Sequence, residues 1–496
     1  MKHIILPSIS ILAFAGVTDC GVQKNNSTEH PNIIFVMADD LGYHDLGCYG
    51  QEKISTPNID RLAGQGLRFT DFYAGAAVCA PSRACLQTGL HTGHVTVRGN
   101  QCRTGGLRKP PGSQVTEATM RVGIPSSEPT IASVLGEAGY HTGLIGKWHL
   151  SGYLYDNLPT NRGYDEFMGR SLADPGSSRA GYMFRNDSVV VIPEEFSGNS
   201  GDETWTKLAI DFMKRNREEP FFLMVNYSTP HKPFRIREQG SYADSSWNNM
   251  TRNYAALVTR LDSHVGMLMD AMEELGLDQN TILVFCSDNG GEYRETPEDW
   301  AEWTRIIASN QPLKGGKADF YEGGIRVPFI IRWPGVIEAG RENSYPLYFP
   351  DVLPTFAEIA GATVPGACDG QSMLDILTGK EESPGQRFLY WEFEHRGFHQ
   401  AVRYGDWVML RYLQKQQRIY GQSGPDDRRR SSIHPFYELY NLSEDLSQEH
   451  NLIDSNPEIA NEMLAFLKNA RWDNPYYPLT DSEKISLDSL DRVEFR

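Results

Sequence analysis

The sequence predicts an α/β protein: a large, mainly parallel sheet flanked by helices, followed by a smaller α+β unit built on an antiparallel sheet. Two observations carry this. As far as Ile331, short apolar runs alternate with helical patterns, and each run is apolar throughout, like a strand buried on both faces. Beyond Gly379 to Gly385 the composition shifts to aromatic, alternating segments.

Taken in order, Asn32 to Ala38 is the first apolar run and ends in Asp39-Asp40. Thr56-Pro57 opens a helix with a hydroxyl cap and a proline in the first turn, closing near Gly64-Gly66. A short helical stretch follows Cys79, and Arg98 to Ile124, rich in Gly, Pro and Arg, reads as a long loop. Glu128 to Gly139 predicts a helix, and the strand His141–Ile145 after it leads into Gly146-Lys147-Trp148-His149. Residues 151–205 lack periodicity and predict loops. A helix near Trp205–Arg215 precedes the strand Phe221–Tyr227, which ends in Thr229-Pro230-His231. Tyr254, Leu257, Val258, Leu261, Val265, Leu268, Met269 and Met272 form one apolar helical face, which is core packing. The strand Thr281–Cys286 ends in Ser287-Asp288-Asn289-Gly290. Leu313 to Lys317 leads through Glu322-Gly323-Gly324 into the strand Val327–Ile331. The later segments Phe388–Phe393, Gln400–Arg403, Trp407–Leu413 and Phe436–Leu442 predict the antiparallel sheet, and Ile459, Met463, Phe466 and Leu467 a final amphipathic helix. The division expected is a leader at 1–20, a main domain at 31–378 and a small domain at 386–496.

The chain of 496 residues carries 47 basic and 64 acidic residues, a formal net charge of -17. That balance argues against a nucleic-acid binder, which would show a basic face. Met1-Lys2-His3 followed by the apolar run Ile4 to Val17 has the form of a secretory signal peptide, too short to span a bilayer. Export to the periplasm, the outer surface or the medium is expected. Cys20 is placed like a lipoprotein anchor, although Asp19 departs from the small residue expected before it. No other segment has the length and apolarity of a transmembrane span. None of the seven cysteines has the spacing of a zinc site.

In parallel sheets ligands bind at the carboxyl ends of strands. Here four strands end in Asp39/Asp40, Lys147/His149, His231 and Asp288/Asn289. Asp39, Asp40, Asp288 and Asn289 offer only oxygen ligands, the set that selects calcium or magnesium over zinc. Taken singly, each Asp would be a turn or cap residue and each His a hydrogen-bonded core imidazole. Their joint position argues for a site.

The stretch Cys79-Ala80-Pro81-Ser82-Arg83, running on into Thr88-Gly89, resembles the signature of the type I, formylglycine-dependent sulfatases of the alkaline-phosphatase-like superfamily. Gly146-Lys147-Trp148-His149 and Pro230-His231 match further motifs of that family, and the resemblance runs from Pro31 to about Trp472. It implies an arylsulfatase-like sulfuric ester hydrolase whose Cys79 is converted to formylglycine by a maturation enzyme, with calcium touching residue 79. It implies that Arg83 and Lys147 hold the formylglycine oxygens, that His149 is the base regenerating the aldehyde, and that His231 and Lys317 bind the sulfate, one of them protonating the leaving oxygen. Lys314 is expected as structural support. Two other readings stay open: a phosphonate monoester or phosphodiester hydrolase, and a non-catalytic glycan-binding relative.

The expected substrate is an aryl sulfate or a sulfated sugar. The sugar is expected to meet loops at the cleft mouth. Asn100 is one candidate, close in sequence to the signature helix; Glu392, His395 and Arg403 of the small domain are others, where polar groups stand beside aromatics, as in sugar sites. The competing expectation is that Trp391 and Phe393 pack the small sheet while Arg403 makes an ion pair between the domains.

Overall fold

The computed structural model describes residues 30–102, 121–152, 157–171, 181–196, 201–293, 297–393, 398–412 and 435–495. The leader and Cys20 lie outside these residues, as does His395.

In chain order, β1 (Asn32–Asp39) is followed by α1 (Pro57–Gln65), the short strands β2 (Leu67–Phe69) and β3 (Phe72–Tyr73), then α2 (Cys79–Thr88) and α3 (Ile131–Glu137). Next come β4 (His141–Lys147), β5 (Glu166–Arg170), β6 (Tyr182–Arg185), β7 (Ser188–Val191) and α4 (Gly201–Asn216). β8 (Phe221–Pro230), α5 (Asn249–Glu274), β9 (Thr281–Ser287), α6 (Glu298–Ile307), α7 (Glu322–Ile325) and β10 (Phe329–Arg332) complete the centre. β11 (Arg341–Asn343), β12 (Leu347–Tyr348), α8 (Val352–Ile359) and α9 (Leu374–Leu377) lead to the second sheet.

The main sheet has ten strands in the order β11-β2-β10-β9-β1-β8-β4-β5-β6-β7. β1 pairs in parallel with both β8 and β9, and β4 with β8. Every residue of β1 is buried. Successive side chains point to opposite faces, so Ile33, Phe35 and Met37 pack on one side, shared with Ala84, Ile131 and Phe356 of α2, α3 and α8. Ile34, Val36 and Ala38 pack on the other, with Ile59, Phe212 and Leu261 of α1, α4 and α5. The predicted apolar face of α5 lies in this second layer, and Asn248 caps the helix by accepting from the Thr251 N–H at 2.8 Å.

Three details differ from the sequence expectation. Residues 151–205 hold β5, parallel to β4, and the antiparallel pair β6–β7. Those two strands have four residues each, too few to display a period, and Asn186 turns between them at φ 56°. The strand into Ile331 runs antiparallel to β9, so the sheet is mixed on that side. Thr56 does not cap α1: its hydroxyl accepts from Gly47 N at 2.8 Å and donates to Asp60 Oδ1 at 3.2 Å.

The second sheet is an antiparallel meander of β13 (Phe388–Phe393), β14 (His399–Tyr404), β15 (Trp407–Tyr412) and β16 (Phe436–Asn441). One face, with Leu389, Trp391, Ala401 and Leu410, packs on Tyr73, Val78 and Ile325 of the main body. The other, with Tyr390, Val402 and Met409, packs under α10 (Pro457–Asn469). A last helix, α11 (Asp481–Asp488), follows.

Candidate active site

Four neighbouring strands, β9, β1, β8 and β4, bring their carboxyl ends to one edge of the sheet, where α2 begins. Asp39 closes β1, and Asp40 turns away at φ 64°, a left-handed conformation that sends the two consecutive carboxylates into one space. Cys79 is the first residue of α2, which is buried along all ten residues. Its Sγ lies 3.4 Å from Asp39 Oδ1 and 3.9 Å from Asp40 Oδ1. The N–H of Ala80, one of those the helix leaves unsatisfied, donates to Asn100 Oδ1 at 3.0 Å, so Asn100 stands beside residue 79.

Each carboxylate has a cation. Lys147 Nζ donates to both oxygens of Asp39 at 2.6 and 2.7 Å. Lys317 Nζ does the same to Asp40 at 2.6 and 2.7 Å and lies 3.7 Å from Cys79 Sγ. Arg83 holds Asp288 Oδ2 through Nε at 2.9 Å and a terminal nitrogen at 2.7 Å. His231 Nε2 faces Asp40 Oδ2 at 3.5 Å, while its Nδ1 lies 2.6 Å from the Lys232 carbonyl oxygen. His149 sits at φ 65° with its Nδ1 buried and without a partner.

This arrangement sets the charges. Burial opposes ionisation of Asp39, but Lys147, with His231, Arg83 and Lys317, outweighs it and holds the carboxyl well below the usual range. Burial, and then the charge of Asp39, raises Asp288. Burial lowers His149 far below the usual imidazole range, aided by the charges of Lys147, Arg121 and Arg83, so the ring is neutral. Burial and the nearby Asp288 push the Cys79 thiol up, so the thiolate is suppressed.

A hard cation fits the donor set. Asn289 Nδ2 donates to Asp40 Oδ1 and to the Gly290 carbonyl oxygen, both at 2.9 Å. The amide is thereby oriented, and its Oδ1 remains buried with no partner. That oxygen and the carboxylates of Asp39, Asp40 and Asp288 form an oxygen-only set of the kind a hard cation takes.

A second group, His91, His94 and Asp369, lies beyond the far end of α2. There His91 Nδ1 accepts from the Gly93 N–H at 3.1 Å, so its Nε2 carries the ring proton and is no metal ligand. Burial lowers this imidazole to about 4, which keeps it neutral.

Cys79, Arg83, Lys147, His149, His231, Lys317 and the four oxygen-bearing residues thus come together. Glu392 and Arg403 do not join them. Glu392 is fully buried between Arg98 at 2.7 Å and Arg471 at 3.1 Å. Arg403, also buried, binds Asp71 at 2.8 Å and the Tyr73 hydroxyl. Glu392 ties the second sheet to the loop after α2 and to the chain after α10, and Arg403 ties it to β3 and the turn before it, so neither has surface to offer a sugar. Lys314 donates to the Gln448 carbonyl oxygen at 2.8 Å and sits over the Tyr321 ring. The residues not foreseen are those that hold the site loops. Ser82 Oγ donates to the Asp288 carbonyl oxygen, Ser287 Oγ accepts from Leu41 N at 3.0 Å, and Asn226 Nδ2 donates to the Lys147 carbonyl oxygen at 2.9 Å. Of these only Ser82 carried a signal, its place in the cysteine motif.

The comparisons agree with this geometry. The sulfatase family model matches residues 31–362, and a model described as N-sulphoglucosamine sulphohydrolase, C-terminal, matches 316–422. Human arylsulfatase A is 33% identical over 468 residues, covering 88% of this chain and 86% of that protein. An N-acetylgalactosamine-6-O-sulfatase of Bacteroides thetaiotaomicron is 28% identical, covering 94% of this chain and 98% of its own. The crystal structure of Ps i-CgsB in complex with k-i-k-neocarrahexaose superposes with a TM-score of 0.73 at 29% identity, covering 93% of this chain and 98% of that one. With buried carboxylates, cations and a cysteine meeting at the strand ends of an α/β sheet, these matches establish that the chain belongs to the sulfatase family and is a sulfuric ester hydrolase.

Proposed function

We propose that the chain is an exported sulfatase that removes sulfate from a sulfated saccharide, using a formylglycine made from Cys79 and a calcium ion held by Asp39, Asp40, Asp288 and Asn289. The observation that carries this reading is the place of Cys79. It is buried at the first position of α2, with Sγ 3.4 Å from Asp39 Oδ1, 3.9 Å from Asp40 Oδ1 and 3.7 Å from Lys317 Nζ, at the centre of the charged residues. Oxidised to formylglycine, residue 79 would supply a hydrated aldehyde as the nucleophile toward sulfur, and calcium held by Asp39, Asp40, Asp288 and Asn289 would add positive charge beside the anionic ester.

The chain's own side chains do the rest. Lys317 is kept cationic because Asp40, with Cys79, Asp39 and Glu292, outweighs the burial that would neutralise it. It therefore binds the sulfate oxygens as a fixed charge and is a poor proton donor. His231 has Nδ1 held on the Lys232 carbonyl, which leaves Nε2 to face the site and protonate the leaving oxygen. His149, neutral and buried, accepts the proton that must leave residue 79 when the aldehyde reforms. Arg83 and Lys147 hold the oxygens of residue 79. The names of the relatives that act on sulfated sugars support a saccharide substrate, and the apolar stretch Ile4 to Val17 supports export. Among the described residues no helix is long and apolar enough to cross a membrane.

The test is sulfate release by the matured chain from 4-nitrophenyl sulfate and a panel of sulfated monosaccharides and oligosaccharides, beside bis(4-nitrophenyl) phosphate. The expected result is turnover of sulfate esters well above that of the phosphodiester. The reverse preference overturns the reading.

A further inference from the structure

Two loops flank the site, and an ion pair joins them. Lys232 Nζ lies 2.5 Å from Glu292 Oε1, with side-chain exposures of 29% and 1%. Glu292 stands on a fixed support. It follows Gly291, whose N–H donates to Asn310 Oδ1 at 2.9 Å and whose carbonyl accepts from Lys317 N at 2.9 Å and Asn310 Nδ2 at 3.0 Å. The support is also tightly packed: a Cβ on Gly290 would fall 1.9 Å from the Gly323 carbonyl oxygen. Lys232 is placed differently. It lies in the partly exposed stretch between the end of β8 and Phe234, where the chain re-enters the core beside Tyr254 and Trp303. The carbonyl of this same lysine orients the His231 ring through Nδ1 at 2.6 Å.

We propose that Glu292 is a positioning residue for His231, acting through Lys232. The inference rests on the sulfatase mechanism above. A ring held by the carbonyl of the next residue is only as well placed as that residue. Glu292 holds Lys232 from a loop that also holds the Lys317 backbone, so one ion pair sets the leaving-group donor against the sulfate-binding lysine. A donor must come within about 2.6–3.2 Å of the oxygen it protonates, and small displacements at a reacting centre have large effects on rate. The pair ties one site loop to another, so its loss should show in the chemistry more than in the fold.

This role has a signature that a merely stabilising one lacks. Phenyl sulfate releases a basic oxygen that needs a proton, whereas 4-nitrophenyl sulfate releases an acidic phenol that needs little help. With the full, matured chain, Glu292→Gln and Lys232→Met should each lower kcat for phenyl sulfate about tenfold and kcat for 4-nitrophenyl sulfate less than about twofold. The double variant should lose no more than either single one, because both break the same link. Equal losses on the two esters, or additive losses in the double variant, overturn the positioning role while leaving the hydrolase reading intact. A matured wild-type chain that hydrolyses no sulfate ester, aryl or saccharide, overturns that reading and this inference with it.

Discussion

Lys317 Nζ lies 2.6 and 2.7 Å from the two oxygens of Asp40 and 3.7 Å from Cys79 Sγ, so one ammonium touches both a proposed metal ligand and the proposed nucleophile. In the proposed mechanism this fixed cation holds the sulfate oxygens during transfer. Lys317→Met should lower kcat/KM for 4-nitrophenyl sulfate by at least about 100-fold, the usual cost of losing a transition-state donor. It should also weaken competitive inhibition by inorganic sulfate. Unchanged inhibition by sulfate would place the anion elsewhere.

The orphaned Asn289 Oδ1 gives the metal assignment its sharpest test. Asn289→Ala removes that oxygen together with the amide's hydrogen bonds to Asp40 and the Gly290 carbonyl. It should weaken calcium binding at least about tenfold, by titration calorimetry of the chelated protein. Calcium should raise the thermal midpoint of the wild type more than that of the variant. Equal stabilisation of the two proteins would remove Asn289 from the ligand set.

Glu392 is bound between Arg98 and Arg471 and is not exposed. Glu392→Ala leaves two buried guanidiniums facing an empty space and should cost about 3–5 kcal/mol, read by urea unfolding. The protein that remains folded should keep the wild-type KM for a sulfated saccharide. A raised KM with unchanged stability would restore Glu392 as a sugar contact.

These cases show what the sequence carried. The residues at the ends of β1, β4, β8 and β9 were legible because an apolar run ends where the polar residue begins, and a parallel sheet collects such ends on one edge. Glu392 and Arg403 misled because alternation tells which face a residue takes and not what waits there. Their partners, Arg98 and Asp71, lie in distant parts of the chain. β6 and β7 were missed because four-residue strands show no period, and Glu292 because nothing local marks a carboxylate whose partner is on another loop.

Asp45 predicts a pH dependence of stability. It is fully buried on the loop after Asp40, and burial pushes its carboxyl up to about 7 against hydrogen bonds from Ser309, Tyr254 and Gly42. A carboxyl whose pKa in the fold exceeds the unfolded value of 3.8 favours the fold when protonated. That contribution is whole below pH 3.8 and is lost as the pH rises through about 7. At about 1.4 kcal/mol per pH unit it amounts to at most about 4 kcal/mol. Asp45→Asn should therefore gain stability relative to the wild type between pH 5 and pH 8 in urea titrations, and parallel pH profiles would show that Asp45 does not titrate there.

Residue 79 is proposed to work as formylglycine and not as a thiol. The most direct measurement is the mass of the peptide spanning Cys79, taken from chain produced with and without a formylglycine-generating enzyme, beside the kcat of each preparation on 4-nitrophenyl sulfate. The aldehyde form should appear only with the maturation enzyme and kcat should rise in proportion to its fraction, with Cys79→Ala inactive under both conditions. Full turnover by protein whose residue 79 is entirely thiol, or by Cys79→Ala, would contradict this reading.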